Sequence, residues 1–111
     1  MYKLKVVFHI DEMEKWDLVL KNAKNFYEGA ENPEIAIVAN GDAVRAYLKE
    51  SEYEAKFNML LGGDIELLAC ENALNRCDIG GRDILPYVKK VAVGVIELVE
   101  RQDAGYRYIK P

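Results

Sequence analysis

Residues 3 to 10, KLKVVFHI, open with alternation of polar and apolar positions and close as a continuous apolar run. Apolar side chains at consecutive strand positions mean that both faces are covered, so this segment predicts a buried first strand. The period then lengthens: Trp16, Val19, Leu20, Ala23 and Phe26 or Tyr27 recur at helical spacing. Asp11 and Glu14 stand at capping-box separation, which predicts a helix from there to about Glu28, ended by Gly29.

The same alternation of elements continues. Asn32-Pro33 marks a turn before EIAIVAN (34 to 40), a second short apolar strand. Asn40-Gly41-Asp42 has hairpin composition, but Ala43, Val44, Tyr47 and Leu48 follow at helical spacing, so it reads as a strand-to-helix turn capped by Asp42. A further helix is expected from Glu52 to Leu61, with Ala55, Phe57, Leu60 and Leu61 inward and Gly62-Gly63 as its stop. DIELLAC (64 to 70) is the third strand. ENALNRC (71 to 77) has room for about two helical turns. Ile79-Gly80-Gly81 breaks it before a short helix near Asp83 to Tyr87, limited by Pro86. KKVAV (89 to 93) is the fourth strand, Gly94 its exit, VIELVERQDA (95 to 104) a helix closed by Gly105, and YRYIK (106 to 110) a last short strand. Strands separated by helices in this way predict one α/β domain over residues 1–111, with a five-stranded, mostly parallel sheet and helices on both faces.

Composition narrows the function classes. At 111 residues, half hydrophobic and 31% charged, the chain has ordinary globular make-up and is long enough to bury a core without disulfides or metal. Its formal net charge of -4 argues against binding nucleic acid or an anionic membrane, which need a basic face. Lys21 to Lys24 and Lys89-Lys90 are too short to count as basic runs and read as solvated surface. Met1 to Lys5 lacks the tripartite pattern of a secretion signal, and no apolar run approaches the roughly 20 residues that span a bilayer. A cytoplasmic protein with two free thiols is expected.

In an open parallel sheet ligands bind beyond the carboxyl ends of the strands, where loops and helix amino termini gather. That rule selects His9 to Asp11, Asn40-Gly41-Asp42, Cys70-Glu71-Asn72 and Gly94. Cys70 stands where a strand gives way to a helix, and unpaired backbone N–H groups there favour the thiolate, the nucleophilic form. The carboxylate of Glu71 opposes that charge. The alternative is that Cys70 is a small apolar residue ending a core strand. Cys77 lies seven positions on, roughly 10 Å along a helix and beyond the roughly 7 Å reach of a disulfide, so it is expected to be structural.

His9, the only histidine, suits the role of acid, base or thiolate partner, or else of a strand-end residue bonded to backbone. Asn40 and Asn72 are ligand-binding or helix-capping residues. Gly41 and Gly94 permit close backbone approach by a ligand, yet no GxGxxG, P-loop, GxSxG, HExxH or paired-cysteine motif occurs. No cofactor is expected. With no CxxC or HxxxH spacing, no metal site is expected either.

VVFHIDE (6 to 12) with Lys15-Trp16 and Leu18 to Asn22 behind it, VANGDAV (38 to 44), LACENAL (68 to 74) and VAVGVIELVERQDAGYRYIKP (91 to 111), taken together, resemble the DsrE/DsrF-like family over nearly the whole chain. The last two blocks are the most specific, because their mixture of glycine, charge and aromatic residues is not demanded by a generic strand or helix. The resemblance implies a three-layer α/β/α domain assembled as a homotrimer or hexamer. It also implies sulfur trafficking, in which a cysteine near the end of the third strand carries sulfur as a persulfide between donor and acceptor proteins; Cys70 falls on that position. Cys77 is outside the family pattern.

Two functions from different classes follow. One is a sulfur-relay carrier acting through Cys70, with His9 in support. The other is a non-catalytic homo-oligomeric module whose strand-end cleft of His9, Asn40 and Asn72 binds a small ligand or a partner's loop. A purely structural role would draw on Tyr106 and Tyr108, which share one face of the last strand and offer a self-association surface.

Overall fold

A computed structural model describes residues 3–60 and 65–111. The expected helix stop at Leu61 to Gly63 and the expected start of the third strand at Asp64 lie outside the described residues. The strands are β1 (Lys5–Ile10), β2 (Glu34–Ala39), β3 (Ile65–Cys70), β4 (Lys89–Val91) and β5 (Arg107–Ile109). The α-helices are α1 (Trp16–Gly29), α2 (Glu54–Met59), α3 (Glu71–Arg76) and α4 (Gly94–Asp103), with 3-10 segments at Met13–Lys15 and Gly41–Tyr47.

The five strands form one sheet in the order β4-β3-β2-β1-β5, and every pairing is parallel. The chain steps outward from β1 to β4 and then returns past β1 to β5. Right-handed crossovers put the connections of the outward steps on one face and the returning α4 on the other. The core divides accordingly. Val6, Phe8, Ile10, Ile35, Ile37, Leu67 and Ala69 pack with α1, α2, α3 and the Gly41–Tyr47 segment. Val7, Ala36, Val38 and Leu68 pack with Leu98 of α4 and with Tyr106. The chain is thus the expected three-layer α/β/α domain, with a single helix as its third layer.

Trp16 anchors the thicker layer. It is fully buried, its ring lies 5.1 Å from Phe57 and 5.4 Å from Tyr47 between centroids, and its Nε1–H donates to the Ala43 carbonyl at 2.9 Å. That bond bears on the segment after β2, which winds as a 3-10 helix rather than the expected α-helix. Three residues per turn stack Ala43 on Ala46 and Val44 on Tyr47, all buried, so the tighter helix turns two columns inward where an α-helix would spread them.

Other local expectations fail for equally specific reasons. Asp11 and Asp42 cap nothing: Glu12 and Asn40 precede the two 3-10 segments in extended backbone, and neither forms a side-chain cap bond. Asp42 pairs with Arg45 instead. Residues 83–87 form turns, not a helix, because their backbone bonds go to a distant segment: Lys49 N–H donates to Asp83, Leu85 N–H donates to Tyr47, and Ile84 bridges Leu48. Ala55 faces solvent while Phe57 is buried.

The lone helix α4 is fastened at its carboxyl end. Arg101 grips Glu66 of β3 with two bonds of 2.8 and 3.1 Å, donates to Glu97 at 2.7 Å, and reaches the Tyr106 hydroxyl at 3.1 Å. Gly105, at φ +98°, ends the helix as expected and turns the chain into β5. None of the described helices is long and apolar enough to cross a membrane.

Candidate functional site

Sheet order decides which strand ends are neighbours. Reading across from β3 to β5, the carboxyl edge presents Cys70, Asn40, His9 and Tyr108 in sequence. Side chains alternate faces along a strand. Val7 pairs with Tyr108 and with Ala36, so His9, Asn40 and Tyr108 all fall on the α4 side of the sheet. In register Tyr108 is level with Val7, and His9 with Val38 and Leu68, so residues 108, 9, 40 and 70 make a row that steps diagonally up the sheet toward its carboxyl edge.

Cys70 ends β3 and also immediately precedes α3. It is a free thiol, 6% exposed, packed within the larger core cluster with Ala73 and Leu74. Its outer side meets α4. A Cβ built on Gly94 would stand 3.1 Å from Cys70 Cβ and 3.5 Å from its Sγ, and also 3.5 Å from Asn40 Cβ. The first residue of α4 therefore lies close against both side chains, and any residue larger than glycine would crowd Cys70. Neither α3 nor α4 has a side-chain cap at its amino end, so the first-turn N–H groups of both helices remain open donors beside the sulfur. Glu71 is exposed, and water screens its charge from the thiol.

His9 has both ring nitrogens engaged. Nε2 lies 3.0 Å from Asn40 Oδ1, and Nδ1 lies 2.7 Å from the Tyr108 hydroxyl, with the two rings tilted against each other at 5.8 Å. Asn40, not His9, thus adjoins Cys70. Tyr108 was not singled out for this site by its sequence; the available signal was the parallel partnership of the last strand with the first, which brings position 108 beside position 9. The paired tyrosines do share a face; Tyr106 is buried against α4, while Tyr108 hydrogen-bonds His9 and stays exposed.

The remaining expected residues fall differently. Gly41 has φ +54° and a Cβ there would meet the Asp11 carbonyl at 2.9 Å, so it serves the close passage of two loops. Asn72 is exposed in the first turn of α3. Cys77, half-buried, follows α3 and packs against the larger core cluster. A hollow of about 600 Å³ lies between α1 and α2, and one of about 300 Å³ lies beside β3 near Tyr87 and Lys89; Ile65 at the start of β3 lines both. They are remote from the row of polar side chains, and chemistry favours the row over the larger space. Among the described residues no cluster of His, Cys, Asp and Glu could hold a metal ion.

The DsrE/DsrF-like family profile matches residues 3–111. Among solved structures, a protein of unknown function from Methanobacterium thermoautotrophicum superposes with a TM-score of 0.88 at 30% identity, covering 100% of both chains. A conserved protein of unknown function from Bacteroides thetaiotaomicron shares the fold, with a TM-score of 0.63 at 15% identity over 98% of this chain and 94% of its own. No curated protein matches significantly.

Proposed function

This chain belongs to the DsrE/DsrF-like family, and we propose that it is a sulfur-relay carrier in which Cys70 accepts sulfane sulfur and passes it on. The observation that carries the reading is the placement of the Cys70 sulfur at the carboxyl edge of β3, against the uncapped amino end of α4. Helix amino termini favour an anion beside them, and both a thiolate and a persulfide are anions. In the loading step the Cys70 thiolate attacks the outer sulfur of a donor persulfide. A bond forms between Sγ and that sulfur, the donor's S–S bond breaks, and the donor leaves as a thiolate. Unloading is the same exchange with an acceptor thiolate, so no outside oxidant or reductant is consumed.

Cys70 is 6% exposed, so the thiol is reached only from the strand-end rim, where a donor would seat. Such a carrier works in the cytoplasm, where protein thiols stay reduced. It acts as a homo-oligomer, trimer or hexamer, with donor and acceptor proteins as its partners. Val95, Ile96 and Val99 on the outer side of α4 are 54%, 54% and 58% exposed, an apolar strip that a second copy would cover.

Incubation with a persulfide donor should add about 32 Da at Cys70, one sulfur atom, by intact-protein and peptide mass spectrometry. No added mass, together with a Cys70 that resists alkylation in the native protein, would overturn the reading. The burial of Cys70 favours one competitor, a non-catalytic binding module in which the thiol only packs. Retention of partner binding by a Cys70→Ala variant, with no sulfur uptake by the parent, would establish that competitor instead.

A further inference from the structure

We infer that Tyr108 is a positioning residue for Cys70, acting through His9 and Asn40; the inference rests on the sulfur-carrier reading of Cys70. The argument begins at Asn40 Oδ1, a carbonyl oxygen that only accepts hydrogen bonds. Its partner at 3.0 Å is His9 Nε2, so that nitrogen carries the proton. In the neutral imidazole the other nitrogen then bears a lone pair. The Tyr108 hydroxyl, 2.7 Å from Nδ1, is the donor to it. Tyr108 thereby holds the ring in one tautomer and one orientation.

The consequence reaches the sulfur through the Asn40 carboxamide. Its oxygen and nitrogen diverge from one carbon, so holding the oxygen toward β1 turns the NH2 group away from β1, toward β3 and Cys70. Asn40 Cβ and Cys70 Sγ each lie 3.5 Å from the same point above Gly94, which puts the amide within a side chain's length of the sulfur. Among the described residues that NH2 group makes no hydrogen bond, to the Cys70 sulfur or to any other acceptor, and it is open to solvent. It is a held donor for a thiolate or persulfide, in addition to the backbone N–H groups of α4. The charged groups on the neighbouring elements are Glu71 of α3, Glu97 in the first turn of α4, Lys89 and Lys90 of β4, the pair of Asp42 with Arg45 after β2, and the pair of Asp11 with Lys110 just past β1 and β5. None of them is altered by the variant below.

The single histidine makes the first test direct. Nitrogen NMR of the native protein should show His9 as the neutral Nε2–H tautomer with Nδ1 accepting, and an Nδ1–H form would overturn the inference. The second test is the rate of Cys70 alkylation by iodoacetamide as a function of pH. Tyr108→Phe keeps the ring and removes only the hydroxyl, and its half-maximal pH should rise by about one unit. A Tyr108→Phe profile that overlays the parent overturns the inference. A shifted profile without sulfur uptake from a persulfide donor would remove the carrier reading alone, whereas a parent Cys70 that never alkylates removes both.

Discussion

Gly94 sits so close to Cys70 that a Cβ at position 94 would lie 3.1 Å from Cys70 Cβ, tighter than ordinary packing. Gly94→Ala is therefore expected to push α4 away from the β3 edge, costing about 1 kcal/mol in urea unfolding and changing the alkylation rate of Cys70. Gly29→Ala is the control. A Cβ there meets nothing within 4 Å and φ is not positive, so it should stabilise the chain by about 0.5 kcal/mol through helix propensity.

The grip of Arg101 on Glu66 links stability to acid. The Arg101 hydrogen bonds hold the Glu66 carboxyl below its usual value of 4.5, against the opposing effect of its partial burial, while Arg101 itself is raised. A carboxyl depressed in the folded state contributes stability that is fully present above its unfolded value and is lost as pH falls through the folded one. Thermal melting of the parent should lose ground steeply below about pH 4.5, and Glu66→Gln should flatten that slope while lowering stability at neutral pH. An unchanged slope would show that Glu66 is not the group responsible.

Tyr47 carries a hydroxyl that the core does not use. The ring is fully buried, and the oxygen lies near the Leu68 backbone without a hydrogen bond of good geometry. Burial also raises its ionisation well above the ordinary tyrosine range, so it stays neutral at any working pH. Tyr47→Phe removes an unpaired polar group at constant shape and should stabilise the chain by about 1 kcal/mol, read from the urea midpoint. Destabilisation would mean that the Leu68 contact is a real bond.

The outer side of α4 offers a test of assembly. Light scattering should give a mass that is a multiple of 12.6 kDa, and a charge at Val99, as in Val99→Asp, should return the protein to a monomer. A parent that scatters as a monomer would contradict the proposed oligomer.

The layer order was legible from period alone, because β1, β2 and β3 are apolar at consecutive positions and the segments between them are not. What periodicity could not supply was the destination of backbone bonds. Residues 83–87 have the composition of a short helix, but their partners are Lys49, Tyr47 and Leu48, 34 to 38 positions earlier. The Ala43 to Tyr47 segment carries both a four-residue and a three-residue spacing, and tertiary packing under Trp16 selects the latter. For the site, the strand-end rule found Cys70, Asn40 and His9 one by one. It missed Tyr108 because only sheet order, which a single sequence does not print, sets the last strand beside the first.

That same return of the chain to β5 fixes when the polar row can exist. Val6 pairs with Arg107, and His9 bonds to Tyr108, 99 positions away, so a fragment that stops short of β5 does not hold the His9 ring in this way. During synthesis the thicker layer can collapse on β1, β2 and β3 while α4 and β5 are still to come, leaving the Cys70 sulfur without α4 above it. A nascent chain in that state exposes its thiol to whatever passes. Arrival of residues 94 to 109 then closes the sulfur and orients its neighbours together, so protection of the thiol and alignment of its donors are acquired as one.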